Sequence, residues 1–455
     1  MDIRRLPKEN GKLVAPSGAV QISVGSESRN SVLIRQERRY ELITPLFGGG
    51  VEAKKNDLDQ LINGKSVRGQ LRFWWRASRG TGSVERMREN EFSIWGAASR
   101  PESPSPSKVS VVVSVTKTGE PDTPFLMSGN KPRPDIRNSM VPPYAAFALQ
   151  PTDEEIREAQ RRQVSVHLES VRLDVEFTLR ISFPEDLRDE VEAALWCWQT
   201  FGGVGARTRR GFGAISLKSL IENGADITPE KWKFRDVTKR INEQLPAIMA
   251  SGEWDSRVPH VPRNTTGALK VTSSKYSGER STVTNTKNNV LKSWWYLIDK
   301  LHQFRQSPRN EKTFAGRSDW PEADEIRRHH TNLTGRNTLR KPVHKVQKFP
   351  RAQFGLPIVF KFKDDDKGEP PKATLQGTGG QRLGSPLILR PILCADGAVS
   401  LAMILESPRF PEGGVELEGY GSVNPELSVG QEKEIRPLSG KSAKADVLRA
   451  FLESL

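Results

Sequence analysis

The chain has 455 residues, of which 70 are Lys or Arg and 55 are Asp or Glu, for a formal net charge of +15 at pH 7. A chain this long exceeds a usual single core, so two domains with insertions are expected, and the cationic excess points to a polyanionic partner, since summed surface charge draws nucleic acid or anionic lipid. A mean hydropathy of -0.57, no apolar run near the roughly 20 residues of a spanning helix, and an amino terminus without a signal-peptide core argue against membrane and predict a cytoplasmic protein.

Residues 1–35 are polar and are expected to form an extension or peripheral arm. Structure is predicted to start at RYELITPLFGGG, where Tyr40, Leu42 and Thr44 share one face of a strand that ends on Gly48, Gly49 and Gly50. The next segment, GKSVRGQLRFWWRASRG, reads as a helix. At about 100° per residue it places Val67, Leu71, Trp74 and Ser78 on one face and Arg68, Arg72, Arg76 and Arg79 on the adjoining one. No acid lies between Asp59 and Glu85, so Lys65 and these arginines read as a basic stripe.

Strands are predicted at KVSVVVSVTK, at YAAFAL and at VRLDVEFTLRISF, in which Val171, Leu173, Val175, Phe177, Leu179 and Ile181 alternate strictly. A helix follows over PEDLRDEVEAALWCWQTF, with Pro184 at its start and Val191, Ala194, Leu195 and Trp198 at core spacing. A glycine-rich loop then leads into a strand at FGAISLKSL. Strand, helix, strands, helix, strand is the ferredoxin-like split βαβ order, expected here over residues 36–221.

Residues 222–265 read as a helical connector, interrupted by Pro229, Pro246, Pro259 and Pro262, with a second unit over 266–455. Its helix, NNVLKSWWYLIDKLHQF, aligns Val290, Trp294, Leu297, Leu301 and Phe304. It also echoes the first helix, Leu71-Arg72-Phe73-Trp74-Trp75 against Leu291-Lys292-Ser293-Trp294-Trp295, a faint internal repeat. Strands are predicted at FGLPIVFKFK, PLILRPIL and VSLAMILES, with a short terminal helix. Between them residues 307–354 hold eleven Lys or Arg against five Asp or Glu, a long basic loop of the kind that is functional or orders on a partner. Arg317, Arg327 and Arg328 in it are candidate RNA contacts.

The loop FGGVGARTRRGFG packs five glycines and three arginines into thirteen residues. It is not a nucleotide-binding P-loop, because no G-K-[ST] follows, nor a dinucleotide fingerprint, because Thr208 stands where a third glycine is required. It also follows a helix carboxyl terminus, the wrong end of the dipole for an anion. Side chains must therefore hold any phosphate. Arg207, Arg209 and Arg210 offer planar bidentate donors, and Gly203 and Gly205 let a sugar-phosphate chain approach the backbone. No acid occurs between Glu192 and Glu222. The segment Arg210 to Leu217 partly matches the first signature of RNA-recognition sheets, with Phe212 as a base-stacking candidate, although Ala214 and Leu217 replace aromatic positions.

In the ordered set TPLFGGG, SVRGQLRFWWRA, GGVGARTRRGFG, RSDWPEADEIRR, FPRAQFGLPIVFKF and RLGSPLILRP the chain resembles the RAMP superfamily of CRISPR systems. Within it, the likeness is to the first RAMP subunit of type III-B (Cmr) RNA-guided effector complexes. The resemblance implies an α+β fold of two tandem ferredoxin-like (RRM-like, βαββαβ) domains with long loop insertions. It further implies a non-catalytic RNA-binding subunit in antiviral defence, requiring no cofactor, whose partners are CRISPR guide RNA near its 3′ region, target RNA and the other Cmr subunits. The arginine and glycine chemistry agrees, because backbone contact without base readout suits a protein that leaves sequence to base pairing.

Some RAMP relatives cleave RNA, which makes a metal-independent endoribonuclease using His329, His330 or His344 the alternative reading; no Cys or carboxylate partner at metal spacing accompanies them. Cys197 and Cys394 are too few for a disulfide framework or a Cys-type zinc site. Asp364, Asp365 and Asp366 read as a solvated turn rather than a magnesium site. Trp74 and Trp294 are expected in the core, whereas Trp75 and Trp295 remain open to base stacking.

Overall fold

The computed structural model describes residues 8–9, 12–13, 32–48, 52, 54–97, 105–273, 286–306, 318–337, 340–362 and 368–455, without the side chains of 8–9, 12–13 and 286–288. Most of the amino-terminal extension, Arg317 and Asp364–Asp366 lie outside the described residues.

Strand β1 (Leu33–Leu42) turns Ile34, Gln36, Arg38, Tyr40 and Leu42 inward by simple alternation. Helix α1 (Gly64–Arg79) is capped by Asn63, whose side chain accepts from the Ser66 amide at 2.8 Å, and α2 (Val84–Trp95) is capped by Ser83. Then come β2 (Ser110–Lys117), a hairpin of β3 (Phe125–Ser128) and β4 (Lys131–Pro134), α3 (Pro143–Ala146), α4 (Asp153–Arg161), β5 (Glu176–Pro184), α5 (Arg188–Phe201), β6 (Ile215–Glu222), β7 (Ala225–Asp226) and α6 (Val237–Ile248). Their antiparallel sheet runs β7-β6-β1-β5-β2. Taking β1, β2, β5 and β6 as strands one to four, the order is 4-1-3-2.

Two expectations are corrected in this half. YAAFAL is not a strand: Pro142 and Pro143 start a helical turn, α3, that continues as a 3-10 turn over Phe147–Leu149. The alternating run from Val171 is broken at Asp174, which takes a left-handed φ of 57°, so Val171–Leu173 pairs with Glu120–Asp122 outside the main sheet.

The second half contributes β8 (Leu269–Thr272), α7 (Thr286–Gln306), α8 (Glu322–Thr334), β9 (Ile358–Phe360), β10 (Ala373–Gly377), β11 (Leu387–Cys394), β12 (Gly397–Ile404), β13 (Val415–Leu417), β14 (Gly421–Val423) and α9 (Val447–Glu453). Its sheet runs β8-β12-β11, all antiparallel. FGLPIVFKFK does not join that sheet; β9 belongs to a separate one, β9-β10-β13-β14. The basic segment is also not a continuous loop, because Glu322–Thr334 is helical.

Mixed α/β structure built on antiparallel sheets thus matches the expected class. The layering is tighter than two side-by-side units would need. On β11 and β12, Leu387, Leu389, Ala402 and Ile404 pack toward α7 and α9. Ile388, Cys394, Val399, Leu401 and Met403 pack the other way, into the core that α1, α5 and α6 share with the first sheet. The second sheet is therefore covered on both faces.

Candidate nucleic-acid interface

Two short sequences fold onto each other to build the glycine loop. The Ala206 amide donates to the Phe47 carbonyl at 2.8 Å, the Gly213 amide to the Pro45 carbonyl at 2.8 Å, and the Thr44 hydroxyl to the Gly211 carbonyl at 2.6 Å. The glycines serve this closeness. A methyl group on Gly203 would lie 2.5 Å from the Gly213 carbonyl oxygen, and one on Gly205 would lie 2.7 Å from Leu46 Cδ1. Their requirement is thus internal packing rather than the approach of a ligand.

The three arginines emerge from this knot. Arg207 sits in the left-handed region at φ 57°, a conformation that non-glycine residues rarely keep without cause, and a 3-10 turn over Thr208–Arg210 follows. Arg207 donates to the Ala145 carbonyl at 3.1 Å and covers the Phe47 ring, with its guanidinium 5.7 Å from the centroid. Arg209 donates to the Ser385 carbonyl and covers Phe73. Arg210 donates to the Leu387 carbonyl and the Ser385 hydroxyl, both at 3.1 Å. Thr208 gives its carbonyl to the Gly211 amide at 2.9 Å. Arg207, Thr208, Arg209 and Arg210 are all half-buried.

None of the three guanidinium groups meets a carboxylate among the described residues. Burial lowers the pKa of Arg207 and Arg209, and burial together with the nearby Arg305 pushes Arg210 down to about 9, which leaves it charged at neutral pH. Carbonyl dipoles and ring faces hold the planes in place without cancelling their charge. Such a site still has an anion to gain.

The other expected contacts fare differently. The basic stripe of α1 has a counter-charge that local sequence does not reveal: Glu91, on α2, accepts from Arg72 at 2.6 Å and Arg76 at 2.5 Å, and Glu190, on α5, accepts from Arg79 at 2.7 Å. Arg68 donates to the Val109 carbonyl at 3.2 Å, and Lys65 is exposed. Arg327 is corrected as an RNA contact, being buried between Asp324 at 2.7 Å and Glu369 at 2.8 Å. Arg328 is likewise engaged, by Glu325 at 2.8 Å and the His344 carbonyl. Phe212 is fully buried, edge-on to Phe47 and Trp294, and stacks no base. Trp75 is buried as well and donates to Glu190 at 2.7 Å. His344 is buried, with Nδ1 2.8 Å from Asp324, while His330 lies 3.4 Å from the Tyr420 hydroxyl.

Sequence reasoning missed the residues that frame the loop. Ser385 and Leu387 belong to the quoted motif RLGSPLILRP, but nothing in their type marks them as partners of arginines 175 or more positions away. Arg390 of the same motif is fully buried and donates to the carbonyls of Gln199 and Gly202 at 2.7 Å and of Ile215 at 2.9 Å. Its presence at an inward position of a strand was the one available signal. It cannot contact RNA; it closes the carboxyl end of α5, where a cation complements the dipole.

Residues 39–216 match the RAMP superfamily. Over 186 residues, 40% of this chain and 94% of the relative, the sequence is 26% identical to the CRISPR system Cmr subunit Cmr1-2 of Pyrococcus furiosus. The crystal structure of apo Cmr1 from Pyrococcus furiosus superposes with a TM-score of 0.43 at 15% identity, covering 88% of this chain and 96% of that one. A cryo-EM structure of the Type III-B Cmr-beta bound to cognate target RNA superposes with a TM-score of 0.46 at 12% identity, over 92% and 100% of the two chains. Among the described residues no helix is long and apolar enough to cross a membrane.

Proposed function

Because residues 39–216 match the RAMP superfamily, we propose that the chain is a non-catalytic RNA-binding subunit of a type III-B CRISPR complex in antiviral defence, gripping the ribose-phosphate backbone of the guide RNA 3′ region and of target RNA. The single observation that carries the reading is the cluster of Arg207, Arg209 and Arg210, half-buried and, among the described residues, bonded only to carbonyls and a hydroxyl with no carboxylate partner. Desolvated charge without a partner is costly, and phosphate oxygens would supply the counter-charge in the bidentate geometry that guanidinium prefers. The Pyrococcus furiosus relative is a Cmr subunit, which supports assembly with other subunits of such a complex.

Neither main sheet presents an aromatic platform. The free face of the first carries Arg35, Glu37, Arg39 and Arg180, and the corresponding face of the second is buried. Backbone gripping is therefore favoured over base reading. The strand order 4-1-3-2 in the first sheet, and the order of first, third and second strands in the second, support tandem ferredoxin-like units over 36–221 and 266–455, joined by 222–265. Lys65 and Arg68, bonded to no carboxylate among the described residues, extend the basic track along α1.

The test is salt titration of single-stranded RNA binding. Replacing Arg207, Arg209 and Arg210 together by alanine should make the slope of log affinity against log salt shallower by about 2, at roughly 0.7 per phosphate released. An unchanged slope and affinity in a folded variant rules the loop out.

A further inference from the structure

Beside the arginine cluster lies a pocket of about 420 Å³ between the β3–β4 hairpin, α3 and α7. Phe125, Tyr144, Phe147 and Trp295 supply its rings, and Gln150 and Asp299 its polar atoms. The floor is fixed. Tyr144 lies against His302 with ring centroids 4.6 Å apart, and Trp295 donates its indole N–H to the Met140 carbonyl at 2.9 Å. The rim is open: Phe147 is 64% exposed, a large apolar ring that none of the described residues covers.

Pocket and arginines share a wall. Arg207 donates to the carbonyl of Ala145, the residue after Tyr144. Tyr144 in turn lies within electrostatic reach of both Arg210 and Arg305. On the hairpin, Lys131 and Arg133 are exposed. A flat apolar slot bordered by cations fits a ligand that is aromatic at one end and anionic at the other. A proline-rich protein segment would fill the rings but leave the guanidinium groups unanswered.

We propose that this pocket receives one unpaired nucleobase of the RNA whose phosphates lie on Arg207, Arg209 and Arg210. The inference rests on the RNA-binding reading above and adds a base-dependent contact to it. Stacking on aromatic faces is tolerant of base identity, so the pocket contributes affinity and fixes register without dictating sequence.

The experiment compares binding of a short oligoribonucleotide with that of its fully abasic counterpart, equal in length and charge, to the whole protein. Wild type should prefer the oligonucleotide with bases by roughly tenfold or more. Phe147→Ala should remove most of that preference while leaving the salt slope unchanged, and Phe147→Tyr should restore it. Phe147 is exposed enough that neither variant threatens the fold. A Phe147→Ala protein that keeps the full preference overturns the proposal. So does one that keeps RNA binding but loses association with partner subunits, which would assign the pocket to a protein. If the triple arginine variant still flattens the salt slope in either case, the backbone reading survives alone; if it does not, both fall.

Discussion

Trp294 donates its indole N–H to the main-chain carbonyl of Arg210 at 2.7 Å, so a helix packed on the second sheet holds the loop that leaves the first. The same indole fixes the neighbouring glycine. At Gly211, φ is 83° and an added methyl group would lie 2.6 Å from Trp294 Nε1 and 2.9 Å from the Leu389 carbonyl oxygen.

Gly211→Ala should therefore destabilise the protein by about 2–3 kcal/mol, combining left-handed strain with a collision. Gly224, at φ 90° with open space around its missing side chain, provides the control. Gly224→Ala should cost about 1 kcal/mol, from conformation alone. Thermal or denaturant unfolding of the two variants measures the difference, and equal losses would show that the Trp294 contact yields freely.

Arg390 answers four carbonyls with one guanidinium, those of Gln199, Gly202, Ile215 and its neighbour Pro391. Arg390→Met matches its bulk but leaves the oxygens of Gln199, Gly202 and Ile215 unpaired. Relief from burying a charge offsets part of that loss, for an expected net cost of about 3 kcal/mol. Arg390→Lys should fall between, since an ammonium lacks the planar fork. Urea unfolding reads both, and a neutral Arg390→Met would mean that water replaces the donors.

Glu91 is buried and holds Arg72 and Arg76 together. Glu91→Gln keeps an acceptor but removes the charge, so the group formed with Arg72 and Arg76 carries one more net positive charge on an already basic stripe. If α1 lies along the RNA, affinity should rise and the salt slope should steepen by about 1. Unchanged binding would confine the RNA to the glycine loop.

Burial alone would raise the carboxyl pKa of Asp324, yet hydrogen bonds from the His344 side chain and from the amides of Val343 and His344 hold it well below the ordinary carboxylate range. The folded protein thus keeps Asp324 ionised at a pH where the unfolded chain, titrating near 3.9, has begun to take up the proton. This stabilisation is complete above about pH 5 and is lost as pH falls toward the folded value. Asp324→Asn should cost about 3 kcal/mol at neutral pH. Melting curves from pH 7 to pH 3 should show a gap to wild type that is constant down to about pH 5 and narrows below about pH 4.

Sequence order revealed the framework where burial is periodic. Tyr40 and Leu42, the alternating Phe177, Leu179 and Ile181, and the core positions of α5 all point inward as their spacing predicts. The echo between Trp74 and Trp294 also has a structural counterpart, since each indole nitrogen abuts a glycine of the loop, Gly202 and Gly211 respectively. What stayed hidden depends on tertiary partners. Counting acids near α1 could not find Glu91, because α2 brings it back across a turn. Arg327 looked like a free cation in a basic segment until folding supplied Asp324 and Glu369. Phe212 matched a stacking position by type, but β11 and α7 close over it.

The second sheet, enclosed between two layers of helices, has an evolutionary corollary. Neither half can be exchanged for that of a distant homologue without leaving Ile388, Leu401 and Met403 facing a foreign floor. Chimeras that cut between the halves should precipitate unless both sides of that seam are inherited together.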